Sequence, residues 1–320
     1  MIADLDLETL FESLRSGNRR TGGLVMSLVE DCHPQKEDIL KRLYECTNRA
    51  LAIGVTGWPG VGKSSLIKGL AQAFLDKGHK VGIIAVDPTS PLSGGSLLGD
   101  RVRLREIEGR ENLYIRSMAS RGHPGGLSNS ARAFVKVMET MGYDVVLMET
   151  VGAGQDQTNV ALIVDTTIVV VAPGLGDRLQ AIKSGILEVG DIFVVNKGDR
   201  LGADGTAADL QNAVMMGERK GWHPPVIKTV ALESKGIEEL MAEIAKHAGY
   251  SAAEGSARTR KHRAAENEIV EAIKTRLFDR FFNGEDPAGG SISECAVRIC
   301  ERKSDPLFLA DAILREKGIS

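Results

Sequence analysis

Apolar residues recur along this chain with two different periods. Between residues 51 and 230, six short runs rich in Val, Ile and Leu are nearly continuous: 51–56, 81–86, 144–149, 166–172, 191–196 and 226–230. A strand covered on both faces reads as an unbroken apolar run, whereas a strand with one wet face alternates. The six runs therefore predict buried strands. Helix-length segments separate them, and this alternation predicts an α/β fold with a largely parallel, two-faced sheet.

The flanks read differently. Leu7, Leu10, Phe11 and Leu14 stand at helical spacing, residues 15–23 read as a break, and a second apolar face follows. Residues 1–50 are thus expected to form a helical N-terminal extension, and 51–250 the sheet domain, which ends in an amphipathic helix over 236–247. Residues 249–263 are rich in Gly, Ser and Ala and then strongly basic, which suits a joint. Beyond it Ile269, Ile273, Leu277 and Phe281 recur every four residues and put an apolar ridge on one helix face. Two more short helices, separated around 286–291 and 304–306, complete an expected helical extension over 251–320. No internal repeat or low-complexity tract is present.

Composition narrows the class. A chain of 320 residues with 42% hydrophobic and 26% charged residues is ordinary for a globular protein. A formal net charge of -3 supplies no strong field for nucleic acid or a membrane surface. Cys32, Cys46, Cys295 and Cys300 form no CxxC pair, which suits reduced thiols. The N-terminus carries Asp4, Asp6 and Glu8 where a secretory signal would be basic and then apolar, and no stretch approaches a membrane span. A cytoplasmic location is expected.

Chemistry enters after the first strand. Gly57, Trp58, Pro59, Gly60, Val61, Gly62, Lys63 and Ser64 fit G-x4-G-K-[ST], with Ser65 next and a helix expected over 63–76. Glycines there let backbone N–H groups approach phosphates, and the helix N-terminus favours negative charge. Lys63 can reach the β- and γ-phosphates, and Ser64 offers a hydroxyl to Mg²⁺. This strand–loop–helix setting predicts a P-loop NTPase.

A second motif lies far downstream. Asn196, Lys197, Gly198 and Asp199 follow a strand and match N-K-x-D. The acid can accept hydrogen bonds from guanine N1–H and the exocyclic amine, which adenine does not present in that arrangement. Ala231, after the next strand, falls where a second base-contacting loop is expected. Between the two motifs, the run 144–149 ends in Glu149 at the Walker-B position, followed by Gly152, whose N–H is suited to the γ-phosphate. Asp87, at the end of the second run, and Asp100, beyond a Gly/Ser-rich loop, are further candidates for the Mg²⁺ shell. Residues 173–183 are glycine-hinged and then charged, just past another strand.

Taken together, G-W-P-G-V-G-K-S, V-D-P-T-S, G-G-S-L-L-G-D-R, M-E-T-V-G-A-G-Q, P-G-L-G-D-R-L-Q-A-I-K and N-K-G-D closely resemble the MeaB/ArgK family of G proteins. That family chaperones adenosylcobalamin-dependent acyl-CoA mutases such as methylmalonyl-CoA mutase. The resemblance implies a Mg²⁺-dependent GTPase that binds GTP and GDP, gates cofactor loading and protects or reactivates its mutase. It implies that Lys63, Asp87, Glu149 and Lys183 serve hydrolysis, and that Ser64, Asp87, Asp100 and Glu149 organise the metal. Gly154 and Gln155 would belong to a switch. Residues 173–183 look like the family's extra switch, with Asp177, Gln180 and Lys183 as polar members that couple the mutase to hydrolysis. Arg178 departs from the family, which carries an acid there, and reverses a charge in that element. The C-terminal extension would be a dimerisation arm, making the protein a homodimer. A cobalamin adenosyltransferase is a further candidate partner.

Two other functions fit a P-loop: nickel delivery, as in related GTPases, and phosphoryl transfer to a small molecule. Nickel delivery needs a Cys/His cluster near the nucleotide, and Cys32 with His33 has no second ligand at suitable spacing nearby. No obvious catalytic base is visible, so slow intrinsic turnover with acceleration by a partner is expected.

Overall fold

The computed structural model describes residues 6–31, 33–46, 49–87, 107, 109–119, 126–150, 160–174, 186–216, 221–253 and 291–316, with scattered positions between 262 and 277. The chain divides into two compact units, Met1–Ala264 and Ala265–Ser320.

The first unit opens with three helices, α1 (Leu7–Arg15), α2 (Arg19–Glu30) and α3 (Lys36–Tyr44). The sheet region follows as β1 (Leu51–Gly57), α4 (Lys63–Asp76), β2 (Val81–Asp87), β3 (Leu113–Ala119), α5 (Gly126–Thr140), β4 (Val145–Glu149) and β5 (Thr166–Val171). It continues through the single turn α6 (Ile186–Val189), β6 (Ile192–Asn196), α7 (Ala203–Met215), β7 (Val226–Thr229) and α8 (Ile237–Ala253). The seven strands lie in the order β3-β2-β4-β1-β5-β6-β7, and every neighbouring pair is parallel. The strand order changes direction around β1. In open α/β sheets such a switch opens a ligand crevice at the carboxyl ends of the strands.

Both faces of the sheet are covered, which explains the unbroken apolar runs. On one face Ile53, Val55, Ile83, Leu147 and Ile168 pack against Leu66, Ile67 and Leu70 of α4 and Leu240 and Ile244 of α8. On the other face Ala52, Ile84, Val146 and Met148 meet Phe134 and Met138 of α5. The same cluster takes in Phe11, Leu14, Val25, Met26, Ile39 and Leu43 from α1–α3. The N-terminal helices are therefore part of the cover of the sheet, and their apolar stripe exists for that contact.

Three elements depart from the sequence pattern, and one is α8, which runs on to Ala253 and takes in the start of the stretch expected as a joint over 249–263. The expected break over 15–23 shrinks to residues 16–18, because Asn18 caps α2 by accepting from the backbone N–H groups of Arg20 and Thr21. Gly22 then sits inside α2, where a Cβ would lie 2.4 Å from Met141 Sδ. That glycine marks a close approach and not a helix end. The third departure is β3, an unpredicted edge strand with β2 as its single neighbour. Arg116 and Ser117 interrupt its apolar run, and Arg116 is retained because its guanidinium donates to Ser27 Oγ at 2.9 Å and lies 3.8 Å from Glu30.

In the second unit α9 (Ser291–Cys300) and α10 (Pro306–Glu316) are joined by a short turn. Asp305 caps α10, accepting from Leu307 and Phe308 N–H at 3.0 and 2.9 Å. Ile269, Ile273 and Leu277 of the apolar ridge are exposed, as are Val297, Leu307 and Phe308, while Phe281 lies outside the described residues. Cys46, Cys295 and Cys300 are free thiols. Among the described residues no helix is long and apolar enough to cross a membrane.

Because Leu43 of α3 is fully buried in the cluster shared with the sheet, Leu43→Ala should lower the stability of the first unit by about 2–5 kcal/mol. Urea unfolding followed by circular dichroism would show one transition moved to lower denaturant; a separate early transition of α1–α3 would contradict their place in this core.

Candidate functional site

The site grows from the carboxyl edge of the central strands. β1 runs to Gly57 and turns through a loop in which Gly57, Gly60 and Gly62 have φ of 140°, 80° and 98°. These are values that side chains resist. Space matters as well: a Cβ on Gly57 would lie 2.2 Å from Val170 O of β5, and one on Gly62 would lie 2.3 Å from Asn196 Nδ2. The loop ends at Lys63, where α4 begins with no side-chain cap on its first turn. Its leading N–H groups and the helix dipole thus meet the loop, which is the arrangement that receives phosphate.

Lys63 is buried and folds back across the loop. Its Nζ donates to Gly57 O at 2.9 Å and Trp58 O at 3.2 Å, which holds the ammonium inside the turn. Ser64, also buried, donates from Oγ to Glu149 Oε1 at 2.8 Å. That contact follows from register, since Val55 of β1 pairs with Glu149 of β4 and brings the strand-end acid to the loop. A hydroxyl and a carboxylate so placed are hard oxygen donors beside a phosphate loop, a set that fits Mg²⁺. Asp87 closes β2, the strand next to β4, and so lies on the same edge of the sheet, although its side chain is outside the described residues.

The base motif sits two strands away from β1, at the end of β6, and reaches back to the loop. The Asn196 side chain is 3% exposed. Its Nδ2 donates to Val61 O at 2.9 Å and, more weakly, to Gly62 O at 3.5 Å. Its Oδ1 accepts from Thr229 Oγ1 and from Ala231 N–H, both at 3.1 Å. Lys197 adopts φ of 58°, unusual for a side chain of its size, and its Nζ donates to Gly60 O at 2.6 Å. Gly198 N–H donates to Thr229 O at 2.9 Å. The first two residues of the motif therefore bind the phosphate loop to the loop after β7. Asp199 is exposed at the rim. Nearby, a hydrogen bond from Lys235 to Glu233 holds the Lys235 ammonium above its usual range, with a smaller contribution from the charge of Asp199.

Of the residues singled out in the sequence, Gly57, Pro59, Gly60, Val61, Gly62, Lys63, Ser64 and Ser65 form one loop and helix start. Glu149, Asn196 and Lys197 are hydrogen-bonded to it, and Ala231 joins through Asn196. Asp100, Gly152, Gly154, Gln155, Asp177, Arg178, Gln180 and Lys183 lie outside the described residues. Thr229, which opens the second base-contacting loop expected after β7, is bonded to Asn196 as well. It stands in register with Asn196 on the neighbouring strand.

Comparison with known proteins agrees with this geometry. Residues 23–286 match the family described as methylmalonyl Co-A mutase-associated GTPase MeaB. A protein of Pyrococcus abyssi, provisionally named a GTPase, is 38% identical over 317 residues, covering 97% of this chain and 96% of the relative. The GTPase ArgK of Escherichia coli is 40% identical over 252 residues, 75% of each chain. Among solved structures, that of a LAO/AO transport system kinase superposes with a TM-score of 0.72 at 26% identity, covering 98% of both chains. With a phosphate loop and a guanine motif locked together on a seven-stranded parallel sheet, and with relatives matching along nearly its whole length, this chain belongs to the MeaB/ArgK family of P-loop GTPases.

Proposed function

We propose that this GTPase depends on Mg²⁺ and gates an adenosylcobalamin-dependent acyl-CoA mutase of the methylmalonyl-CoA mutase type. Its nucleotide state would control cofactor loading and protect or reactivate the mutase. The observation that carries the reading is the match of residues 23–286 to a family named for its association with methylmalonyl-CoA mutase, on a chain whose phosphate and base loops are joined through Asn196.

The residues divide the work by their chemistry. Lys63, now donating to two loop carbonyls, swings its ammonium to the β- and γ-phosphates when nucleotide enters, and the N–H groups of 57–65 cradle them. Ser64 and Glu149 would hold Mg²⁺, with Asp87 and Asp100 completing the shell. The ion, when bound, neutralises charge that develops on the transferring phosphoryl group. Asp199 reads the guanine N1–H and amine, while Asn196 and Lys197 keep the base loop and phosphate loop in one arrangement. Gly152 donates its N–H to the γ-phosphate and, with Gly154 and Gln155, responds to its loss. Asp177, Arg178, Gln180 and Lys183 form the element through which the mutase influences hydrolysis.

The second unit serves self-association in this reading. The exposed ridge of Ile269, Ile273 and Leu277 on a helix supports a homodimer, since isolated apolar ridges of this kind are normally covered. A cytoplasmic location and a cobalamin adenosyltransferase as second partner belong to the same reading.

Lys63→Ala should lower the rate of GTP hydrolysis by roughly 100- to 1,000-fold, as loss of a preorganised charge at the transferring group does; hydrolysis and GTP affinity unchanged in single-turnover assays would contradict the role of Lys63. Asp199→Asn should reduce the preference for GTP over ATP by about 100-fold or more, measured by competitive binding. Adding purified methylmalonyl-CoA mutase should raise GTP turnover well above the intrinsic rate, and no response to any acyl-CoA mutase of this class would overturn the partner assignment.

A further inference from the structure

Glu149 meets Ser64 on one face of the sheet, and its neighbour Thr150 meets Thr56 on the other. Along β1 and β4 successive side chains alternate: Ile53, Val55 and Leu147 lie with α4, whereas Ala52, Val146 and Met148 lie with α1–α3 and α5. The alternation puts Glu149 on the α4 face, where it meets Ser64. It puts Thr56 and Thr150 on the other. There Thr150 Oγ1 donates to Thr56 Oγ1 at 3.0 Å, with Thr56 0% and Thr150 6% exposed. Thr150 N–H also donates to Val55 O at 3.2 Å, one step past the end of β4.

Apolar side chains pack on this face of the sheet next to the hydroxyl pair. Gly54, on the same face two residues before Thr56, is roofed by Val160 and Val164, whose methyl groups would stand 2.6 and 3.0 Å from a Cβ there. In such a setting a hydroxyl pair is strong when complete and unfavourable when one member is missing. It also stands where control of backbone rotation matters most. β4 ends at Glu149, and ligand positions of this kind depend on supporting contacts that hold them to within about 0.5 Å.

We infer that Thr56 and Thr150 are positioning residues for the Mg²⁺ end of the site. Their hydroxyl pair ties the carboxyl end of β4 to β1 on the face away from α4, and thereby holds the Glu149 carboxylate at Ser64. The inference rests on the Mg²⁺ reading given above and adds residues on the opposite face of the sheet from the ligands. The chemistry of threonine suits the task. Its branched Cβ packs in a strand as valine does, and the hydroxyl adds a directional tie between neighbouring strands.

The test is GDP binding as a function of Mg²⁺, using a fluorescent GDP analogue with the full-length chain. Thr150→Val and Thr56→Val should each raise the Mg²⁺ concentration for half-maximal enhancement of binding by about tenfold, the range seen when groups supporting metal ligands are removed. GDP affinity in EDTA should stay within about twofold of wild type, because the phosphate and base loops keep their own contacts. Thr150→Ser and Thr56→Ser keep the hydroxyl and should restore the wild-type Mg²⁺ response. The double valine variant should be no more impaired than the worse single one, since the two hydroxyls act as one unit.

Melting curves identify any variant that fails to fold, and either single position or the double variant then carries the test. Valine variants with a wild-type Mg²⁺ response would overturn the inference, as would a matching loss of metal-free GDP affinity or serine variants that fail to rescue. If wild type itself binds GDP with no response to Mg²⁺, the metal reading fails and the inference with it.

Discussion

The site depends on one buried carboxamide. Asn196 closes β6 and spends both ends of its side chain on neighbouring elements, donating to Val61 O of the phosphate loop and accepting from Thr229 at the end of β7 and Ala231 beyond it. In a site this buried, leaving such a group unpaired costs about 1–3 kcal/mol. The amide can do this because β5 alone separates β1 from β6, so the phosphate loop arches over β5 to meet it. The glycines follow from that arch. Gly57 passes over Val170 O, and Gly62 leaves room for the Asn196 amide itself. Lys197 adds a second tie from its left-handed backbone, bonding Gly60 O. A motif of four residues thus has a division of labour: two fasten the loops, and Asp199 is left exposed.

The rest of the unit serves to hold that edge still. Parallel strands need cover on both faces, and here α4 and α8 supply one side while α5 and the N-terminal helices supply the other. With the sheet rigid, register alone delivers Glu149 to Ser64 and Thr229 to Asn196. The geometry at this edge is therefore a consequence of strand pairing, with loops adding the fine contacts.

Much of this was legible from the chain. Six of the seven strands announce themselves as apolar runs; in five of them burial on both faces removes any alternation, whereas the edge strand β7 alternates at exposed Lys228. The start and end of α4 at Lys63 and Asp76 also follow from the motif and its helical spacing. β3 was hidden because an edge strand tolerates Arg116 and Ser117, and Gly22 misled because a glycine demanded by helix approach looks like one that ends a helix. The motifs could be read individually, yet their mutual bonds could not. Asn196 as a bridge is a fact of three-dimensional neighbours 135 residues apart in sequence. The pairing of Thr56 with Thr150 is hidden for the same reason.

If Asn196 couples the two loops, removing it must weaken ligands that never touch the base-reading loop. The most direct measurement is calorimetric binding of inorganic tripolyphosphate to wild type and Asn196→Ala. Coupling through Asn196 predicts a loss of about tenfold or more in tripolyphosphate affinity, alongside a loss for GDP. Unchanged tripolyphosphate binding with only GDP weakened would show that Asn196 acts on the base alone, and would contradict its coupling of the two loops.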